Sequence, residues 1–404
     1  MKTSETMNSI DVLLSPGGPS LNSASYGKEY YLLEHIAKAD AAVTVDGYFK
    51  TISDRPPYPN ISVREPDDTS TRNRYYIQSF IEAREELKAN EFDVYHHLNF
   101  HYRFFNPLLL TNQIEETPVV LGPAQPPHDI PDPSKRRFIN EITGVDWPDV
   151  VLDELLPVAN WIQENIYNNI KEALFAKTLA RADRIVVVNE ETAELYANYV
   201  DRSKIDVIPY GVVSDRFIQG DPSQSMDLVA IGSLFERKGF DLLIKAWAEI
   251  AAEYPETTVH IYGDGPQRDV FESLAHDLGV NDSISFHGRV EHSVIEDALA
   301  NARAFVHPSR SEGFPHVRLE SMASGCPVVA SNVWGTNEMI RDGIDGLVVP
   351  RGSVTELSDA MSTVLAEPVC AREMGQNART HVEQQFNWNQ IGQQFAKLYR
   401  ELSE

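Results

Sequence analysis

A chain of 404 residues with 42% hydrophobic content is too long for one core of ordinary size and fills two, each of about 150 to 200 residues. The 60 acidic residues against 35 basic ones give a net charge of −25 and a pI near 4.8, so most of the surface repels nucleic acid and anionic lipid and excludes both as bulk partners. A protein adapted to a high-salt cytoplasm carries such a surface because salt screens its self-repulsion; an ordinary acidic protein is the other reading.

No apolar run approaches the roughly 18 to 20 residues of a membrane span, and the opening MKTSETMNSIDVLLSP has no charged n-region followed by a long apolar stretch. Neither secretion nor a transmembrane helix is expected. Cys326 and Cys370 are too few for a disulfide framework and lack metal-ligand spacing, which fits a cytoplasmic protein.

Short apolar runs alternating with helical patterns predict βαβ units and parallel sheets. In the first half the predicted strands are Ile10 to Leu14, Ala42 to Val45, Phe92 to Tyr95, Pro118 to Leu121, Arg184 to Val188 and Asp206 to Ile208, with Tyr76, Ile77, Phe80, Ile81 and Leu87 at helical spacing. This predicts a doubly wound domain over 1–218. A mostly helical insertion over about 129–180 carries Trp147, Trp161, Lys135, Arg136 and Arg137, and either packs on that domain or forms a membrane-docking or acceptor-binding element. Gln219 to Ser225 reads as a linker. A second doubly wound domain over 219–387 follows, with strands Leu228 to Ile231, Thr258 to Tyr262, Ser283 to His287, Ala304 to His307 and Pro327 to Ala330. Phe240, Leu243, Ile244 and Trp247 share one helix face there. The fold class is α/β, two Rossmann-like doubly wound domains facing across a cleft. An amphipathic helix over 388–404, with Ile391, Phe395 and Leu398 on one face, caps the second domain or crosses back to the first.

The chemistry concentrates in PSRSEGFPHVRLESMASGCPVVAS, residues 308–331. After a buried strand, a loop with Gly313 and Pro315 opens a helix, and Gly325 ends it before the next strand. Exposed N–H groups and the positive end of the dipole then point above the strand ends, where a diphosphate is favoured. Glu312 and Glu320, eight positions apart, reach different parts of one elongated ligand, where a carboxylate accepts hydrogen bonds from sugar hydroxyls.

The run EGFPHVRLE, Glu312 to Glu320, resembles the E-x7-E motif of the retaining GT-B glycosyltransferases of family 4. The resemblance implies that Glu312 contacts the transferred sugar and Glu320 the nucleotide ribose. It also implies donor contacts from Gly313, Phe314, Pro315, His316, Val317 and Leu319. GSLFERKG, Gly232 to Gly239, looks like the family's G-R-L-x-x-x-K-G, whose arginine and lysine neutralise the donor diphosphate. Lys238 matches the lysine, but Ser233 stands in place of the arginine; Arg237 either supplies the missing charge or faces outward. GDGP, with Gly263 and Gly265, and HGR, with Arg289, resemble the turns beside the nucleotide base. GTNE and DGIDG resemble the stretch beyond the second glutamate, where Glu338 organises structure.

In the first domain SPGGPS, with Gly17 and Gly18, resembles the glycine loop across the cleft from the donor, an ordinary βα turn being the alternative. FDVYHHLNFH resembles the strand end that carries a sugar-facing histidine; His96, His97 and His101 compete for it, with His97 preferred over a satisfied structural role. ADRIVVVN and VIPYGV extend the resemblance toward the linker.

The implied activity moves a hexose-type sugar from a nucleoside-diphosphate sugar to the hydroxyl of a glycan or lipid-linked acceptor, in surface glycan, polysaccharide or glycolipid synthesis. The anomeric configuration is retained by front-face substitution, with Glu312, His97 and Lys238 as the catalytic residues. No Asp-x-Asp sits at a strand end, so no metal and no cofactor beyond the co-substrate is expected, and peripheral contact with the cytoplasmic membrane face fits such acceptors. Two rivals stand beside this reading: a nucleotide-sugar epimerase on the same fold, and a catalytically silent partner subunit, which Ser233 keeps in play.

Overall fold

The computed structural model describes residues 9–18, 20, 21, 27–98, 100, 106–110, 116–124, 126 and 168–404. The first domain holds strands β1 (Ile10–Gly18), β2 (Val43–Phe49), β3 (Ile61–Arg64), β4 (Val94–His97), β5 (Val119–Ala124), β6 (Arg184–Val187) and β7 (Ile205–Val207). They form one parallel sheet in the order β3-β2-β1-β4-β5-β6-β7. Helices α1 (Lys28–Ala39), α2 (Arg72–Ala89), α3 (Asn168–Arg181) and α4 (Glu190–Tyr196) accompany it.

The second domain repeats the plan. Strands β8 (Leu228–Ile231), β9 (Val259–Tyr262), β10 (Ile284–Gly288), β11 (Ala304–His307), β12 (Val328–Ser331) and β13 (Gly346–Val349) run parallel in the order β10-β9-β8-β11-β12-β13. Its helices are α5 (Phe240–Ile250), α6 (Arg268–Asp277), α7 (His292–Ala300), α8 (His316–Ala323), α9 (Thr336–Met339), α10 (Val354–Ala366) and α11 (Pro368–Gln385). Helices on both faces leave every residue of β8, β11 and β12 buried, which is why these strands read as unbroken apolar runs. Phe240, Leu243, Ile244 and Trp247 are buried on α5 in a core shared with β8, β9 and α10.

Two strands are absent from the periodicity. β3 and β13 are four-residue edge strands that are only partly buried, and β3 lies between Pro59 and Pro66. Trp147, Trp161 and the cluster Lys135 to Arg137 lie outside the described residues. The end of that segment, α3, buries Phe175 and Leu179 in the first-domain core. No described helix is long and apolar enough to cross a membrane.

The chain passes between the sheets twice and side by side: Val212 on the outward strand donates its N–H to Phe386 O at 3.0 Å on the return. Beyond that point α12 (Trp388–Ser403) lies along α1, so close that a Cβ on Gly392 would stand 2.3 Å from His35 O. Phe395 stacks on His96, and Tyr399 Oη lies 2.7 Å from His96 Nδ1. A second seam joins the domains at α4, where Glu338 accepts the N–H groups of Glu190 and Glu191 at 2.8 and 3.2 Å and Glu191 accepts that of Gly335 at 2.9 Å. These reciprocal caps are a structural task for Glu338.

Candidate active site

The carboxyl ends of β8, β9, β10 and β11 surround a cavity of about 670 Å³. Gly232, Ser233, Arg237 and Lys238 line it from the loop after β8, Gly263 and Asp264 from that after β9, and Arg289 and Val290 from that after β10. His292 faces it from α7, and Glu312, Phe314, Pro315, His316 and Val317 from the loop that opens α8. In open α/β sheets this is the ligand-binding edge.

Glu312 is the centre of its charge network. Lys238 Nζ donates to Oε1 at 2.6 Å, and Arg237 Nη1 stands 3.6 Å from Oε2 while donating to Ser311 O at 3.3 Å. Ser309 Oγ donates to Oε1 at 2.7 Å and lies 3.1 Å from His307 Nε2. On the far side of that imidazole, Arg318 Nε donates to Nδ1 at 2.8 Å, which assigns the His307 proton to Nε2 and gives the whole chain of bonds one direction. Burial alone would raise the Glu312 carboxyl, but the His307 contact and the Lys238 charge outweigh it and hold it well below the usual range. Burial lowers Lys238, with Glu312 opposing. It also takes His307 down to about 4, helped by Arg318, so the ring is neutral.

Glu320 is set apart. Only 1% exposed, it lies off the main cavity at a narrow gap between the domains, walled by Tyr31, Arg216, His316 and Trp388. Neither carboxylate oxygen has a hydrogen-bond partner among the described residues, and His292 Nε2 is 3.8 Å from Oε2. Burial pushes this carboxyl up to about 8, with Glu296 adding to it. His316 lines both spaces, its Nε2 also without a hydrogen-bond partner among the described residues. It packs 5.1 Å from the Tyr210 ring, over which Lys28 Nζ sits at 4.3 Å. Burial, then the Lys28 charge, hold His316 down at about 3.

The structure therefore brings Lys238, Arg237, Ser233, Glu312, Arg289 and residues 314–317 to one cavity, while Gly313 is not among the residues that line it. Gly265 belongs to the turn beside it, and Leu319 is fully buried behind it. His97 is placed elsewhere. It is 1% exposed in the first-domain core, with Asn106 Nδ2 3.1 Å from Nδ1 and Phe80 and Phe100 against its ring. His96, on the opposite face of β4, is held between Gly122 O at 2.6 Å and Tyr399. His101 lies outside the described residues. Gly18 ends β1, paired with Phe49, and is not among the residues lining the donor-side cavity. Sequence reasoning missed Asp264, His292, His307, Ser309, Arg318 and Lys28. Arg318 stood inside the E-x7-E run at a position the motif leaves free, and Lys28 carries no local signal at all.

Two family models match adjoining parts of the chain. Residues 30–216 match Glycosyltransferase Family 4, and residues 214–381 match Glycosyl transferases group 1. Together the two matches cover most of the chain and support a glycosyltransferase of the family 4, group 1 type, with the GT-B fold. It is 30% identical over 238 residues to a GDP-mannose-dependent alpha-(1-6)-phosphatidylinositol monomannoside mannosyltransferase of Mycobacterium tuberculosis, covering 54% of this chain and 62% of that protein. It is 25% identical over 236 residues to the phosphatidylinositol N-acetylglucosaminyltransferase gpi3 subunit of Schizosaccharomyces pombe, covering 57% of this chain and 51% of that protein. The chain thus spans about half to three-fifths of the length of these relatives. Sucrose-phosphate synthase from Thermosynechococcus elongatus superposes with a TM-score of 0.69 at 22% identity, over 98% of this chain and 99% of that one, a likeness of fold.

Proposed function

We propose that this protein transfers a hexose-type sugar from a nucleoside-diphosphate sugar to the hydroxyl of a glycan or lipid-linked acceptor, with retention of configuration. The observation that carries the reading is the Lys238–Glu312 contact of 2.6 Å at the mouth of α8, with Arg237 beside it. The carboxylate holds the cations in place. A bound diphosphate takes over the ammonium and the guanidinium, aided by the N–H groups at the start of α8, and frees Glu312 to accept hydrogen bonds from the sugar.

The leaving phosphate then carries its developing charge among fixed donors, and in a front-face substitution it takes the acceptor proton as the new bond forms. Glu312, locked as an anion by Lys238 and the His307–Ser309 bonds, orients the sugar. Two cations take the part a divalent ion would play, so turnover is expected to survive chelation. Closure of the first domain excludes the water that would hydrolyse the donor. The relatives that act on phosphatidylinositol-based glycolipids favour a lipid-linked acceptor reached at a membrane face.

The test is a panel of nucleoside-diphosphate sugars with glycan and glycolipid acceptors, following diphosphate release and assigning the product anomer by NMR. Acceptor-dependent release with retention, abolished in Lys238→Ala, is the expected result. Sugar interconversion without an acceptor would favour the epimerase, and a folded protein that binds no nucleotide would favour a silent subunit.

A further inference from the structure

The order β10-β9-β8-β11 strings the loops of the cavity along one line. Lys238, Arg237 and Glu312 occupy the β8 and β11 end; Asp264 and Arg289 face the cavity from the β9 and β10 end. With the diphosphate at the cationic end, the base extends toward Asp264 and Arg289. This inference rests on the nucleotide-donor reading and adds the identity of the base.

Asp264 is held in place by the turn that carries it. A Cβ on Gly263 would stand 2.0 Å from Gly232 O and one on Gly265 2.6 Å from Leu234 O, so only glycines allow the turn to press on the β8 loop. Leu234 donates its N–H to Asp264 O at 3.0 Å, and Asp264 Oδ1 accepts the Gly265 N–H at 2.8 Å, while the residue is exposed at the rim of the cavity. The nearby cation Arg268 is engaged by Glu272 at 2.7 Å. Arg289 is exposed and has no hydrogen bond or ion pair among the described residues.

We infer that this end of the cavity selects guanine, so that the donor is a GDP-sugar. Guanine presents two adjacent donors, N1–H and the N2 amino group, which match a carboxylate, and two adjacent acceptors, O6 and N7, which match a guanidinium. An acid and a base side chain at one rim are complementary to that pattern. Uracil and thymine offer a single N–H flanked by two carbonyl oxygens, so a carboxylate that meets the N–H also meets a lone pair. Adenine offers one amino group beside an unprotonated ring nitrogen.

The test is calorimetric titration of the full chain with GDP, UDP, dTDP and ADP, repeated on Asp264→Asn and Arg289→Gln. GDP is expected to bind at least about tenfold more tightly than the others, with both substitutions shrinking that ratio several-fold while UDP binding stays near its original strength. Both side chains are exposed, so the variants fold. UDP or dTDP binding as tightly as GDP would overturn the assignment of guanine and leave the donor reading standing, as would an unchanged ratio in both variants. Absence of binding by every diphosphate would overturn both.

Discussion

Arg318 Nε donates to His307 Nδ1 at 2.8 Å, and through that one bond a fully buried guanidinium sets the direction of every proton down to Glu312. The same guanidinium donates to Thr336 Oγ1 at 2.8 Å and Ser331 O at 3.4 Å, tying the start of α8 to the end of β12. We expect Arg318→Leu to lower the stability of the fold by about 3 kcal/mol, since it strands buried acceptors along with a cavity. Urea denaturation measures this, and a midpoint within error of the parent would show that the network is held by other means.

Glu320 provides a stability term with a definite pH signature. Its folded pKa of about 8 lies above the unfolded value near 4.3, so its contribution is fully present below the unfolded pKa and is lost as pH rises through about 8. Between about pH 5 and about pH 9 the protein should lose on the order of 4 kcal/mol through this carboxyl. Glu320→Gln should flatten that part of the profile. A variant whose pH profile parallels the parent would mean that Glu320 is ionised throughout.

How much of this was legible in the sequence depends on what each feature needed. The central strands and the buried face of α5 follow from local apolar pattern, which survives because both faces of a parallel sheet are covered. β3 and β13, only partly buried, carry less of that signal. Lys238 and Glu312 stood in motif context, yet nothing local says that they touch, 74 positions apart. The choice between His96 and His97 failed to anticipate that both faces of β4 are packed. One face meets a helix from the far end of the chain, and no spacing near residue 97 reports it.

Proton release on nucleotide binding tests whether the ribose reaches Glu320, which lies off the main cavity. Near neutral pH its carboxyl is mostly protonated; if ribose hydroxyls donate to it they favour the ionised form, and binding then releases a fraction of one proton. Titrations in buffers of different ionisation enthalpy read that number directly. A heat independent of buffer would remove Glu320 from the ribose contact.

Gly392 tests the return of the last helix. With His35 O 2.3 Å from where its Cβ would be, Gly392→Ala forces α12 away from α1 and loosens Phe395 and Tyr399 on His96. A loss of about 2 to 3 kcal/mol is expected, typical of overpacking. Gly392 sits in regular helix, so backbone strain contributes nothing to that loss. A midpoint unchanged from the parent would mean that α12 shifts away from α1 at no cost.

Ser233 and Arg237 line the same cavity, one where the family carries an arginine and the other with its guanidinium 3.6 Å from Glu312. If Arg237 is the second cation for the diphosphate, Arg237→Ala should weaken nucleoside-diphosphate binding by about tenfold, more at low salt than at high, because part of the guanidinium is solvent-exposed and screened. Adding Ser233→Arg to that variant should restore most of the loss, since residue 233 reaches the same space from the loop after β8. Rescue would show that the cleft requires charge near Glu312 rather than charge at one position. Loss without rescue would assign the role to Arg237 alone, and no loss at all would leave Lys238 and the α8 N–H groups to hold the diphosphate unaided.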